Sequence, residues 1–257
     1  MKATNMRQLL RCDRGRAEEL LQRYYPLLEQ AFPLEGEIEE VETYLAYLES
    51  DTMEWNMQVQ ISDDGDIVGG LQYQILRGIA GEVQVAAWIE HVWLRGTARN
   101  FQDFANALRS LVDELRSEGV QMIFMEFNDP LKMTPEQIED DAKGGILTND
   151  RLKLWAYVGI HELISPNGAT APYAQPGMDG QPPVEYLSVG WHAIDGGGME
   201  GRTLSSSSYL AVIERAHGTI PGVDTQTNGT SCAVRQLVAA CGTEVFSFAP
   251  LRRRFES

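Results

Sequence analysis

With 257 residues, the chain can form one large domain or one of ordinary size with an appendage, and either buries a sizeable core. A hydrophobic fraction of 43%, a charged fraction of 23% and no apolar run near the roughly 20 residues of a membrane span predict a soluble globular protein. A net charge of −16 and a pI near 4.6 repel nucleic acid and anionic membrane, which leaves a cationic or neutral small molecule as the expected partner.

The N-terminal MKATNMRQLLRCDRGR has basic residues but neither the apolar h-region nor the cleavage site of a signal peptide, so a cytoplasmic location is expected. Within it, MRQLLRCD reads as a short first strand. Ala17, Leu20, Leu21, Tyr24, Leu27 and Leu28 then recur at helical spacing up to a stop near Pro33, and Val41, Tyr44, Leu45 and Leu48 make a second amphipathic helix. Trp55 to Ile61 alternates polar and apolar residues, turns at Asp63, Asp64 and Gly65, and is answered by IVGGLQYQIL from Ile67 as a β-hairpin. A third strand from Glu82 to Leu94 completes an antiparallel meander. Phe101, Phe104, Ala105, Leu108, Leu111, Val112 and Leu115 keep the i, i+3, i+4 rhythm of a helix that ends at Gly119. After it, MIFMEF from Met122 to Phe127 is apolar enough for a buried strand, expected to be parallel.

Residues 129–183 are broken by Pro and Gly, and GGGMEG at Gly196 to Gly201 reads as a hinge. These features divide residues 1–194 from an extension, 195–257. The extension has two helical stretches, SYLAVIERAHG and SCAVRQLVAAC, and a strand, EVFSFAPL. It either covers the substrate side or forms a homodimer contact. Its ending, Arg252 to Arg254, reads as solvated. Cys12, Cys232 and Cys241 are odd in number and lack Cys-x-x-Cys spacing, so neither a disulfide framework nor a metal site is expected.

One segment carries the functional reading. A strand that stops at Gly96 and Ala98, with a helix starting at once, offers free N–H groups and a positive dipole end to an anion. Thr97 can cap that helix, and Arg95 and Arg99 suit phosphate. A Rossmann fingerprint is excluded, because two of its glycines are missing and the turn follows an antiparallel meander.

In this order of elements, and in Trp93-Leu94-Arg95-Gly96-Thr97-Ala98, the chain resembles the Gcn5-related N-acetyltransferase (GNAT) family over roughly residues 6 to 191. The family pattern is Gln/Arg-x-x-Gly-x-Gly/Ala; Gly96 and Ala98 match it and Trp93 departs. Asn149 followed by a helix and Gly159 is similar to the Asn and helix that flank the CoA arm in the family. Trp155 stands where many members have a tyrosine that protonates the CoA thiolate. A segment inserted after MEFNDP and the run Tyr173 to Pro176 resemble a bacterial subset.

The resemblance implies an α+β fold with a mixed, mostly antiparallel sheet flanked by helices. It also implies acetyl-CoA or another acyl-CoA as cosubstrate and an amine as acceptor. The expected CoA contacts are Val92, Trp93, Leu94, Arg95, Gly96, Thr97, Ala98 and Arg99. Removing the ammonium proton needs a carboxylate or imidazole. Alternation puts Glu90 on the face of Trp88 and Val92, with His91 opposite, so Glu90 is the expected base, against a structural ion pair as the other reading. Glu126, in an apolar strand, anchors the amine or makes a structural hydrogen bond. Asn128 and Asp129 touch the ligand or cap the loop. Tyr173 is the candidate acid, with Tyr157 and solvent as alternatives. The reading is an N-acyltransferase acting on a small amine, or an inactive GNAT-like protein that binds acyl-CoA or another ligand.

Overall fold

The computed structural model describes residues 2–34, 37–95, 100–177, 182–195, 198–220 and 222–255. The first strand, β1, is Lys2–Asn5, and MRQLLRCD is not a strand but a helix, α1 (Met6–Cys12). Two local features decide this. The Asn5 side chain accepts the Gln8 N–H as an N-cap, and Met6 and Leu10, four residues apart, turn inward on one face. The short segment lacks the strict alternation of a half-buried strand.

Helices α2 (Arg14–Ala31) and α3 (Val41–Glu49) come next, then the hairpin β2 (Glu54–Ile61) and β3 (Ile67–Arg77) and the third meander strand β4 (Val85–Leu94). Tyr24 of α2 lies directly on the sheet because Gly70 has no side chain; a Cβ there would stand 2.2 Å from the tyrosine oxygen. That oxygen accepts the Trp93 indole N–H at 3.0 Å. The tryptophan that departs from the family pattern is thus an anchor between β4 and α2.

The long helix α4 (Asn100–Ser117) leads into β5 (Met122–Asn128), then α5 (Pro135–Ala142), α6 (Thr148–Tyr157), β6 (His161–Ile164) and β7 (Leu187–Ala193). The chain continues through β8 (Thr203–Ser205), α7 (Ser206–His217), α8 (Gly229–Ala240) and β9 (Val245–Pro250). Among the described residues the strands form one sheet in the order β1-β2-β3-β4-β5-β7-β6-β9-β8. Within it, only β4 and β5 pair in parallel. The fold class is a mixed, mostly antiparallel sheet flanked by helices.

Alternation along β4 distributes the core. Ala86 and Trp88 pack with α7 and α8, whereas Ala87 and Ile89 pack under α4. Val212 and Ile213 of α7 and Val234 and Val238 of α8 are buried in the first cluster, while Leu237 faces solvent. The C-terminal strand β9 pairs with β6, so residues after 195 extend the same sheet.

Of the basic ending expected to be solvated, Arg252 is exposed but Arg253 and Arg254 are not. Arg253 Nε lies 2.9 Å from Glu162 Oε1, and Arg254 reaches Glu162 Oε2 at 2.6 Å and Asp129 Oδ1 at 3.0 Å. Glu162 is fully buried and Asp129 nearly so, and a buried carboxylate needs a partner of opposite charge. Replacing Arg254 with Ala leaves Asp129 without an arginine and Glu162 with Arg253 alone. Urea denaturation of Arg254→Ala is expected to show a loss of about 3–5 kcal/mol; a loss within the ~0.5 kcal/mol of ordinary surface changes would refute this account of the clasp.

Candidate active site

The site begins where the parallel pair parts. Pairing of β4 with β5 covers only Ala86–Ile89 against Met122–Met125. Beyond it, β4 stays on β3 as far as Leu94 and β5 stays on β7 as far as Asn128. The facing edges, Glu90–Leu94 and Glu126–Asn128, therefore have no strand partner among the described residues, and their backbone groups need something else to bond.

A β-bulge sharpens this geometry. His91 pairs with Gln72 and Ile89 with Tyr73, so Glu90 is an extra residue with no partner across the ladder. The extra residue resets the alternation. Val92 and Leu94 return to the α4 side with Ile89, while Trp93 joins the cluster under α1 to α3. Glu90 consequently does not share the face of Val92, and Glu90 and His91 line the same cavity.

That cavity, of about 130 Å³, is walled by Glu37, Glu39, Glu90 and Glu126 and by the rings of Tyr44, Tyr47, Trp55 and Tyr186. Glu90 accepts the Trp55 indole N–H at 2.7 Å. Burial nevertheless pushes its carboxyl up to about 7, with the Glu39 charge adding to the rise and the indole opposing it. Glu126 is pushed up to about 8 by burial and by the Glu90 charge, against the pull of the Trp88 indole. Glu126 Oε1 and Trp88 Nε1 are both buried and both lack a hydrogen-bond partner. Because the Glu90 charge raises Glu126, Glu126 gives up its proton after Glu90.

His91 is different. Its Nε2 is 2.6 Å from the Glu37 carbonyl oxygen and its Nδ1 is 2.8 Å from Gln72 Oε1. Burial pushes the ring down to about 4, so it is neutral at pH 7 and its contacts hold the 37–40 segment. Neutrality leaves one ring N–H, which donates to the Glu37 carbonyl, so Nδ1 is an acceptor. A turned Gln72 amide would supply that nitrogen with a donor and use the Nε2 that is otherwise unpartnered.

A groove of about 1220 Å³ adjoins the cavity, walled by Val92, Trp93, Leu94 and Arg95 on one side and by Lys143 to Ile146 and α6 on the other. Its size suits a nucleotide-bearing cosubstrate, the unpaired β4 edge can bond the amides of an extended arm, and Arg95 and Lys143 suit phosphate. Gly96, Thr97, Ala98 and Arg99 lie outside the described residues.

Asn128 lines the cavity, but its amide donates to Glu37 Oε1 and to Asp141 Oδ1, each at 3.0 Å. Asp141, fully buried, also takes Thr148 Oγ1 and Arg151. Tyr173 is not brought to the cavity; it is buried in the α7–α8 cluster with its ring 5.8 Å from that of His217. Tyr157 is exposed. Sequence reasoning missed Glu37 and Glu39, whose only local signal is the acid density of EGEIEE, and Arg151, which reads as an ordinary helical charge.

No protein-family model matches the chain, and no curated protein matches it. Among solved structures, it is similar to the aminoglycoside 6'-N-acetyltransferase from Enterococcus faecium, with 15% identity and a TM-score of 0.47 over 76% of this chain and 97% of that one. It is also similar to the ribosomal-protein-S18-alanine N-acetyltransferase from Escherichia coli, with 14% identity and a TM-score of 0.42 over 72% and 92%. A third is the spermidine N-acetyltransferase from Vibrio cholerae in complex with CoA and spermine, with 11% identity and a TM-score of 0.41 over 75% and 96%. At these values none carries a residue role to the present chain. The order of elements and the mixed, mostly antiparallel sheet are those that the sequence resemblance to the GNAT family implies.

The raised carboxyls have a consequence for stability. Between pH ~5 and ~8 the folded chain holds protons on Glu90 and Glu126 that the unfolded chain has released, so raising pH across this window favours unfolding. Urea midpoints taken at pH 5.5, 7 and 8.5 are expected to fall, and the fall should flatten in Glu90→Gln/Glu126→Gln. An unchanged slope in that double variant would assign the effect to other groups.

Proposed function

We propose that the protein is an N-acyltransferase that moves an acetyl or other short acyl group from CoA to the amine of a small, cationic molecule. The observation that carries this reading is the Glu90–Glu126 pair, set in a ring-walled cavity at the point where β4 offers an unpaired edge. Carboxylates and rings together suit an ammonium. Among the described residues of the wall the cation is Arg151, and it is committed to Asp141. The small volume of the cavity favours a small molecule over a protein acceptor.

Each residue then has a task. The β4 edge from Val92 to Leu94 holds the arm along the strand and brings the thioester to the bulge. Glu90, ionised above about pH 7, takes the ammonium proton directly or through a water it orients. Glu126 keeps its proton longer and hydrogen-bonds the amine. The nitrogen–carbon bond forms as the carbon–sulfur bond breaks, and the thiolate, with an ordinary pKa near ~8.5, is protonated from solvent in the groove. Binding of acyl-CoA without turnover is the second reading. It is favoured by Tyr173 lying in the core and by the indole of Trp155 where a phenol was expected.

Calorimetry with acetyl-CoA is expected to give saturable heat; its absence rejects both readings. Thiol release with a panel of amines should rise with pH through about 7 in the wild type. Glu90→Gln is expected to lower kcat/KM by about 10²–10⁴-fold and abolish that limb, whereas Glu126→Gln should keep the limb, since a protonated Glu126 does not repel Glu90. Binding with no thiol release from any amine would favour the non-catalytic reading.

A further inference from the structure

This inference rests on the acyl-CoA reading and concerns what limits the acyl group. Phe32, Val92, Arg151 and Trp155 line both the groove and the cavity. An arm lying along the β4 edge must pass between them to bring a thioester to Glu90.

The walls of this neck are fixed. Arg151 Nη1 is 2.9 Å from the buried carboxylate of Asp141. The Phe32 ring meets the His91 ring edge to face at 4.6 Å. Trp155 is only 5% exposed and stands edge-on to Phe104 at 5.2 Å. Beyond the neck, both the acyl group and the amine must fit within about 130 Å³. A water takes about 30 Å³ in the liquid, so the cavity holds on the order of four water-sized groups. Glu37, Glu39, Glu90 and Glu126 share the lining and suit the amine. The apolar lining left for an acyl chain is short, because Ile89, Met125 and Phe127 already belong to the packed core under α4.

We propose that Trp155 is a specificity-determining residue that confines the transferred group to a short acyl chain, on the order of two to four carbons, by closing the neck against Val92. The indole fills the space into which a longer chain would turn, between α6 and Phe104. In this position the tryptophan selects the donor and takes no part in proton transfer.

Calorimetry on the full chain tests this with CoA, acetyl-CoA and octanoyl-CoA, and needs no acceptor. Wild-type protein is expected to bind CoA and acetyl-CoA within a few-fold of each other and octanoyl-CoA at least about tenfold more weakly. Trp155→Leu and the milder Trp155→Phe should narrow that gap, read within each variant as the ratio of octanoyl-CoA to acetyl-CoA affinity. Octanoyl-CoA binding the wild type as tightly as acetyl-CoA overturns the proposal, and so does an unchanged gap in a variant that still binds CoA. If wild-type protein binds no CoA at all, the acyl-CoA reading fails first and the gate falls with it, so the two failures are distinguishable. Should a variant lose its fold, seen as loss of both CoA binding and helical circular dichroism, the wild-type comparison still decides.

Discussion

The parting of β4 from β5 is the constraint on which the site depends. A sheet normally satisfies its own backbone, and four register pairs do so here before the strands separate. Past that point a stretch of edge opens in the middle of a nine-stranded sheet, flanked on both sides by strands that remain paired to their outer neighbours. The bulge at Glu90 sits at the first position of that edge, so the change in alternation and the loss of the strand partner coincide. One backbone irregularity thereby turns two consecutive polar side chains into the same cavity. Glu90, His91 and Glu126 thus stand on strands, while Glu37, Glu39 and Tyr186 close the cavity from the segments beside them.

The same sheet treats its buried acids in two opposite ways. At Glu162 and Asp129 arginines close the charge, and the carboxylates serve cohesion. At Glu90 and Glu126 the available partners are indole N–H groups, one bonded and one not. An indole donates without supplying charge, so Trp55 positions a Glu90 oxygen while burial keeps both carboxyls raised toward neutrality. The contrast separates carboxylates that hold the fold from carboxylates that can change state.

Much of the architecture was legible in local pattern. The rhythm from Phe104 to Leu115, the hairpin around Gly65, the apolar run of β5 and the two C-terminal helices all rest on periodicities that neighbouring residues report. Even α5, unassigned from the sequence, carries a local signal in the Thr134–Gln137 capping box. The opening helix was missed because seven residues give a period too few repeats, and the Asn5 cap was the better clue. The bulge was not legible at all, since it depends on how Gln72 and Tyr73 line up across the ladder. Likewise nothing near Arg254 announces Glu162 and Asp129, which reach it only through tertiary folding. Phase reasoning along one strand grouped Glu90 with Trp88, which also lines the cavity, and with Val92, which the bulge turns to the α4 side.

Asn128 illustrates how a residue can govern an opening it does not border. One hydrogen of its amide holds the carboxylate of Glu37, in the segment that comes after Phe32; the other holds Asp141, which in turn fixes Arg151 and Thr148 of α6. Both banks of the neck are therefore tied through one side chain at the end of β5, with His91 as a second tie on the Glu37 side, like the blades of an aperture on a shared mount. Their separation is a shared quantity rather than two independent ones, and slack at the mount would loosen both at once.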